Sequence, residues 1–194
     1  MSKYRNDIIK IESDFISNKN ENKKPPVTEV RVNNVKEIGK QYISYWREYP
    51  DLFIDQIKGE DSKFNFFFYQ RMFLRAAMRH QYFFGCFPRA YSKSFLSVLL
   101  MIIKCILYPN FKGFIVSGGS EQAAKIATEK TQELFDLIPA LKNEIVEGRG
   151  TKCSKMSKDE FVLYFKNGSR FDVRAAIQSS RGGRAHGGLI ISSL

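Results

Sequence analysis

The chain has 194 residues and a mass of 22.4 kDa, which suits one domain or one domain with an appended segment. Hydrophobic residues make up 43% of it, with 17 Phe and 9 Tyr among the aromatics. That content excludes a wholly disordered chain and removes the need for disulfides or structural metal to hold a core. Lysine and arginine number 31 against 20 acidic residues, leaving a formal charge of +11 and a pI near 9.6. A polyanion such as nucleic acid is a fitting partner for such a chain. Charge alone leaves a merely soluble basic protein equally open.

Residues 1–34 read as a flexible polar arm, culminating in Asn18-Lys19-Asn20-Glu21-Asn22-Lys23-Lys24-Pro25-Pro26, a composition that cannot support a packed core. A solvated tail is favoured there over a nucleic-acid contact. The start, Met1 to Ile11, is polar and broken by Lys3, Arg5 and Asp7, so no secretory signal is expected. Cys86, Cys105 and Cys153 are widely spaced and accompanied by only His80 and His186. No metal-site spacing results, and a reducing compartment is expected.

From Val35 the pattern turns helical. Val35, Ile38, Tyr42, Tyr45 and Trp46 recur at helical steps and Pro50 ends the run. A short helix is predicted over Leu52 to Ile57 and another from Phe66 to about Met78. The aromatic run Gln81 to Phe87 has strand propensity and is bounded by Pro88. A loop over Pro88 to Ser92 leads into a long apolar helix ending near Tyr108-Pro109. Its apolar run of about 13 residues is too short to span a bilayer, so no membrane partner is expected. Phe111 to Ser117 is predicted as a buried strand and Glu121 to Leu137 as an amphipathic helix with Ser120 at its N-cap. Strand, loop, helix, strand and helix in that order indicate an α/β fold with a largely parallel sheet.

After Pro139 the chain becomes polar, and Glu147 to Asp159 reads as a surface loop. Asn167-Gly168 between two β-rich runs, Glu160 to Phe165 and Arg170 to Ala175, predicts a hairpin. A Gly/Arg/Ser loop over Ser179 to Gly188 precedes a short buried strand, Leu189-Ile190-Ile191.

One constellation bears chemistry. A phosphate-binding loop needs a buried strand, a turn whose amides face the anion, a Lys, and a Ser or Thr opening the next helix. Residues 81–107 supply that order, with Lys93 as the point charge for the phosphates and Ser94 as the hydroxyl for Mg²⁺. The pattern G-x-x-x-x-G-K-[ST] nonetheless fails, because Phe87 and Ser92 stand where its glycines would be and Gly85 falls two residues early. An ordinary strand-to-helix turn is an equal reading of these residues alone. Tyr69-Gln70 lies ahead of the loop, where an aromatic and an amide can serve adenine, and Arg89 within it can neutralise charge on a γ-phosphate.

Several segments in order resemble the ATPase domain of the large terminase subunit of tailed bacteriophages, the motor that threads DNA into the capsid. Tyr42-Ile43-Ser44-Tyr45-Trp46-Arg47 with Pro50-Asp51-Leu52-Phe53-Ile54 is similar to the family's entry helices, and Phe68-Tyr69-Gln70-Arg71 to its adenine motif. Pro88-Arg89-Ala90-Tyr91-Ser92-Lys93-Ser94-Phe95-Leu96 resembles its glycine-poor phosphate loop, and Ile115-Val116-Ser117-Gly118-Gly119-Ser120-Glu121-Gln122-Ala123 the strand, turn and helix after it. Asn167-Gly168-Ser169 and Ser180-Arg181-Gly182-Gly183-Arg184-Ala185-His186-Gly187 resemble its hairpin and the Arg-Gly loop before its acidic strand. The likeness spans about Val35 to Ile191.

The resemblance implies an ASCE-type P-loop NTPase over residues 35–194, with a mostly parallel central sheet flanked by helices and incomplete at its C-terminus. It implies ATP and Mg²⁺ as cofactors, Arg89 and Lys93 as catalytic residues, and Ser94 as the metal ligand. Nucleotide contacts would come from Tyr69, Gln70, Pro88, Arg89, Ala90, Tyr91, Ser92, Lys93, Ser94 and Phe95. It further implies double-stranded DNA, a portal protein and a small terminase subunit as partners, a ring of copies during packaging, and a place in the host cytoplasm docked on the procapsid portal. Arg181 and Arg184 are either DNA-facing or nucleotide-sensing residues, or charges on a Gly-rich loop.

The chain departs from the family where an Asp and a Glu should end the last strand: Ser192 and Ser193 stand there. A hydroxyl is no general base near neutral pH, an assistance worth about 10²–10⁴-fold, so impaired hydrolysis is expected. The family's two-metal nuclease domain is missing from this sequence. Two other readings compete: a helicase-like P-loop NTPase, and a non-catalytic basic module for DNA binding or assembly.

Overall fold

The computed structural model describes residues 29–60, 62–117, 120–148, 153–157, 160–175 and 190–192. It divides into two compact units, residues 1–41 and 42–194. Helix α1 (Glu29–Glu48) begins ahead of the expected Val35, within the stretch read as an arm; residues 1–28 lie outside the described residues. In the first unit an exposed Lys40–Glu37 ion pair closes at 2.8 Å. The helix ends where Pro50 restricts the residue before it.

In the second unit, α2 (Pro50–Ile57) carries Pro at its first position and Asp51 in its first turn, both suited to a helix N-terminus. It lies against α3 (Phe68–Arg79) through a charge cluster. Asp51 is fully buried and accepts from Arg75 Nε and Nη2, both at 2.8 Å, and from Arg71 Nη1 at 3.0 Å. Arg71 Nη1 also donates to Asp55 at 2.6 Å. Burial pushes the Asp51 carboxyl upward, but the hydrogen bonds from Arg75 and Arg71 outweigh it and hold the group below its ordinary value.

Helix α4 (Lys93–Leu107) is the centre of the core. Leu96, Leu99, Met101, Ile102, Ile103 and Cys105 are all fully buried, so the helix is apolar on almost every side and must be enclosed. Burial raises the Cys105 thiol far above its ordinary range and lowers Lys104.

A short turn leads from α4 into β1 (Lys112–Ser117), followed by α5 (Ser120–Leu137) and a 3₁₀ turn over Pro139–Glu144. The remaining strands are β2 (Lys155–Met156), β3 (Phe161–Tyr164), β4 (Arg170–Ala175) and β5 (Ile190–Ser192). They form one sheet in the order β2-β3-β4-β1-β5. Strand β1 pairs in parallel with β4 on one side and β5 on the other, with Ile115 opposite Val173 and Ile191. Strand β3 is antiparallel to both β2 and β4. Helices α4 and α5 pack on the sheet and on each other, which makes the fold α/β.

Two expectations are corrected. The sheet is mixed rather than mostly parallel, because the hairpin places an antiparallel ladder on one side of β4. The run Gln81–Phe87 is no strand either: it is irregular, with Tyr82 and Phe84 88% and 86% exposed. Phe83 and Phe87 set their rings edge-on against Phe73 of α3 at 5.4 and 5.3 Å. Strand propensity measures fit to a pleated, half-buried surface, and here a helix takes up the aromatic side chains instead. Part of the expected surface loop at 147–159 forms the two-residue strand β2.

The turn Asn167-Gly168 does more than reverse the hairpin. Gly168 has φ +84°, a backbone that favours glycine, and Asn167 Nδ2 donates to the carbonyls of Cys105 at 2.7 Å and Ile106 at 3.0 Å. Ser169 Oγ donates to Tyr108 O at 2.8 Å, and Arg47 reaches Leu107 O at 2.7 Å with its guanidinium 4.2 Å from the Tyr108 ring centroid. The C-terminal carbonyls of α4, which have no partner within the helix, are closed by these side chains.

Asn167→Ala should therefore destabilise the protein by about 1–3 kcal/mol, the cost of buried acceptors left unmet, as a lower urea midpoint at unchanged slope. Asp51→Asn should cost about 3 kcal/mol by leaving two arginines facing a neutral amide. Because the folded Asp51 value is depressed, its contribution is present above the unfolded value of about 3.9 and is lost as pH falls through the lower folded value. Acid titration of stability below pH about 4 should be steeper in the parent than in Asp51→Asn.

Candidate functional site

The loop entering α4 has a left-handed backbone at two non-glycine residues, Ala90 with φ +67° and Ser92 with φ +51° and ψ +27°. Such residues are held there at a cost of about 1–2 kcal/mol each. Ser92 occupies the second glycine position of the phosphate-loop pattern, so the chain adopts the backbone that position requires without the residue that makes it easy. Among the described residues, the amides of Arg89, Ala90, Tyr91 and Ser92 have no hydrogen-bond acceptor. Ser92 is also the N-cap of α4, with no side-chain hydrogen bond to the helix. The start of α4 thus presents unfilled amides and the positive end of the helix dipole.

The position of this end follows from the helix. Fifteen residues span about 22 Å, and α4 turns directly into β1. Gly113 lies beneath Met101, where an added β-carbon would overlap the sulfur, so helix and strand run back along each other in close contact. The C-terminus of α4 lies near the start of β1, and its N-terminus lies near the last turns of α5, where Phe64 meets the Phe95 ring and Ser62 Oγ donates to the Leu137 carbonyl at 3.1 Å.

A cleft of about 480 Å³ opens at this end. All of Pro88, Arg89, Ala90, Tyr91, Ser92, Lys93, Ser94 and Phe95 line it, and so does Gln70. Arg89 and Lys93 are exposed, Ser94 is half-buried, and Phe95 is buried as the apolar anchor of the first turn. Phe64 meets the Phe95 ring at 5.8 Å and forms part of the wall. Ser97 Oγ bonds the Lys93 carbonyl at 2.9 Å, fixing the turn that carries Lys93 and Ser94. The loop side of the cleft therefore gathers two cations, Arg89 and Lys93, with the Ser94 hydroxyl and a set of open amides.

Tyr69 is not among the lining residues, but its ring packs 5.2 Å from Tyr91, which joins it to the loop. Gln70 is buried, and its polar atoms are engaged: Oε1 accepts from the Phe67 amide at 3.0 Å and Nε2 donates to the Tyr69 hydroxyl at 3.3 Å. Gln70 here caps α3, and only part of its amide remains for a ligand. Ser192 ends β5 opposite Val116. Arg181, Arg184 and Ser193 lie outside the described residues. Among the described residues no group of three or more His, Cys, Asp or Glu could hold a metal.

The opposite wall was not legible in the sequence. Lys130, Glu133 and Leu137 of α5 line the same cleft, spaced at helical steps on one face. Within an amphipathic helix rich in charge, nothing distinguishes these positions from solvated ones. No family model and no curated protein matches the chain. No helix among the described residues is long and apolar enough to cross a membrane.

Replacing Ala90 or Ser92 by Gly should raise stability by about 0.5–1 kcal/mol, the relief of left-handed strain less the added chain entropy of glycine. Ser92→Val should lower it. Thermal denaturation of the three variants checks both signs.

Proposed function

We propose that the cleft binds a nucleoside triphosphate with Mg²⁺ and that the second unit acts as a terminase-like P-loop ATPase domain. The observation that carries this reading is the loop itself. Left-handed Ala90 and Ser92 leave consecutive amides open at the uncapped start of a buried helix, directly before Lys93 and Ser94. Open amides, a helix N-terminus and a Lys are among the elements from which phosphate cradles are made; the buried strand that precedes such a loop is not formed here, where Gln81–Phe87 is irregular. In this role the amides and Lys93 hold the β- and γ-phosphates, Arg89 neutralises charge on the terminal phosphoryl group, and Ser94 takes a coordination position on Mg²⁺. Tyr91 offers its ring to the base, with the remaining Gln70 donor in the same cleft, and Tyr69 acts through its packing on Tyr91.

When bound, Mg²⁺ would supply charge neutralisation to the phosphates, with Ser94 as the residue that would hold it. The chain's part is to orient the phosphates and exclude water from the buried side, where Phe95 and Phe64 close the wall. Ser192 at the end of β5 provides no carboxylate to activate water, so binding is expected to exceed turnover. Double-stranded DNA, a portal protein, a small terminase subunit and ring assembly on a procapsid in the host cytoplasm belong to this same reading. The charge of +11 supports a polyanionic partner.

Titration calorimetry with ATP and Mg²⁺ tests the reading. Lys93→Ala should weaken binding by about tenfold to a hundredfold, the range for a charge-assisted hydrogen bond. Equal affinity in both proteins would reject the site. Salt-sensitive DNA binding without any nucleotide response would instead support the basic-module reading, and strand unwinding the helicase-like one.

A further inference from the structure

The two walls of the cleft differ in character. One is the loop with its open amides, Arg89 and Lys93. The other is α5, which presents Lys130 and Glu133 joined by an ion pair of 2.7 Å between Nζ and Oε2. Their side chains are 36% and 46% exposed, so the pair is only loosely held: half-exposed pairs in water contribute little to stability. Among the described lining residues Glu133 is the one carboxylate.

An anion seated on the loop changes the balance across the gap. A triphosphate carries several negative charges, against the single charge of Glu133, and Coulomb attraction scales with the product of charges. Lys130 then has a better partner than the one it holds, and Glu133 is left facing whatever cation accompanies the phosphates. Resting on the triphosphate reading, we propose that Lys130 and Glu133 form a ligand-exchanged ion pair: a bound triphosphate takes Lys130 from Glu133, and the released carboxylate turns to the divalent cation. The pair makes the cleft selective for the metal-bound triphosphate. Without the cation, Glu133 competes with the phosphates for Lys130 and repels them. With it, the same carboxylate becomes an attraction, through water or directly.

The test compares ATP and ADP, each with and without Mg²⁺, by calorimetry on the full chain and on Lys130→Ala, Glu133→Gln and Lys93→Ala. Lys130→Ala should weaken ATP by about tenfold, one charge-assisted contact, and ADP by less. Glu133→Gln should tighten metal-free ATP and shrink the gain that Mg²⁺ brings. When Glu133→Gln is combined with Lys130→Ala the tightening should vanish, because the competitor acts through Lys130. Thermal melts of the two single variants should match the parent, and a merely structural role would not separate ATP from ADP. If ATP binds, Lys93→Ala weakens it, and Lys130→Ala and Glu133→Gln leave affinity and metal dependence unchanged, this inference falls while the triphosphate reading stands. A chain that binds no triphosphate overturns both.

Discussion

The enclosed helix α4 is the constraint on which the rest of the molecule depends. A helix buried on nearly all sides must still satisfy the carbonyls at one end and the amides at the other, and neither set can be left dry in a core. The carbonyl end meets its requirement inside the protein, through Asn167, Ser169 and Arg47. The amide end meets its requirement at the surface, where the loop opens into a cleft. Structure and site are thus two solutions to one problem, at opposite ends of the same element. The closed end also fixes the open one, because α4 is rigid over its length and its register on β1 is set by the contact of Met101 with Gly113.

The charge cluster around Asp51 serves the same end from farther away. It ties α2 to α3, and α3 carries Gln70 into the cleft, Tyr69 against the loop, and Phe73 beneath the aromatic segment that leads to Pro88. A carboxylate with no access to water is a poor source of net stability compared with apolar packing, but its geometry is demanding: one carboxylate receives two guanidinium groups from successive turns of α3. The cluster sets the rotation and height of α3 rather than merely its attachment. The chain from Arg79 to Lys93 is anchored at its start by α3 and at its end by α4, so the loop conformation depends on both helices keeping their places.

Much of the architecture was legible in the sequence because it follows from local patterns. Pro50 marks a boundary, the apolar run after Ser92 is too uniform to be other than a buried helix, and Asn167-Gly168 between alternating runs predicts its hairpin. What could not be read was long-range. Asn167 looks like a turn residue and also serves a helix that ended some sixty residues earlier. The aromatic run Gln81–Phe87 has the composition of a strand, yet Phe73 on a preceding helix receives two of its rings, and propensity carries no record of that competitor. At the site, Lys93 and Ser94 were legible from their order after a loop, and the cleft gathers them with Arg89. Lys130 and Glu133 were hidden because a helical pair of opposite charges is the commonest feature of a solvated face; only the crossing of α5 over the loop gives it a place in the cleft.

The strongest argument for a binding role comes from the residues that do not suit their positions. A connecting turn with no task relaxes, over mutation, to sequences that adopt its backbone without strain, and glycine at either of two positions would do so here. Instead Ala90 and Ser92 hold left-handed conformations, and the amides between Pro88 and Lys93 have no acceptor among the described residues. The left-handed strain costs stability that glycine would recover, while the amides, carried by exposed residues, are met by water at the surface. Their coincidence at the positive end of a buried helix, beside Arg89 and Lys93, is what the proposed anion would account for, by accepting from those amides and holding the loop in place. On that proposal the strain would serve preorganisation, because the loop's backbone is already set before a ligand arrives.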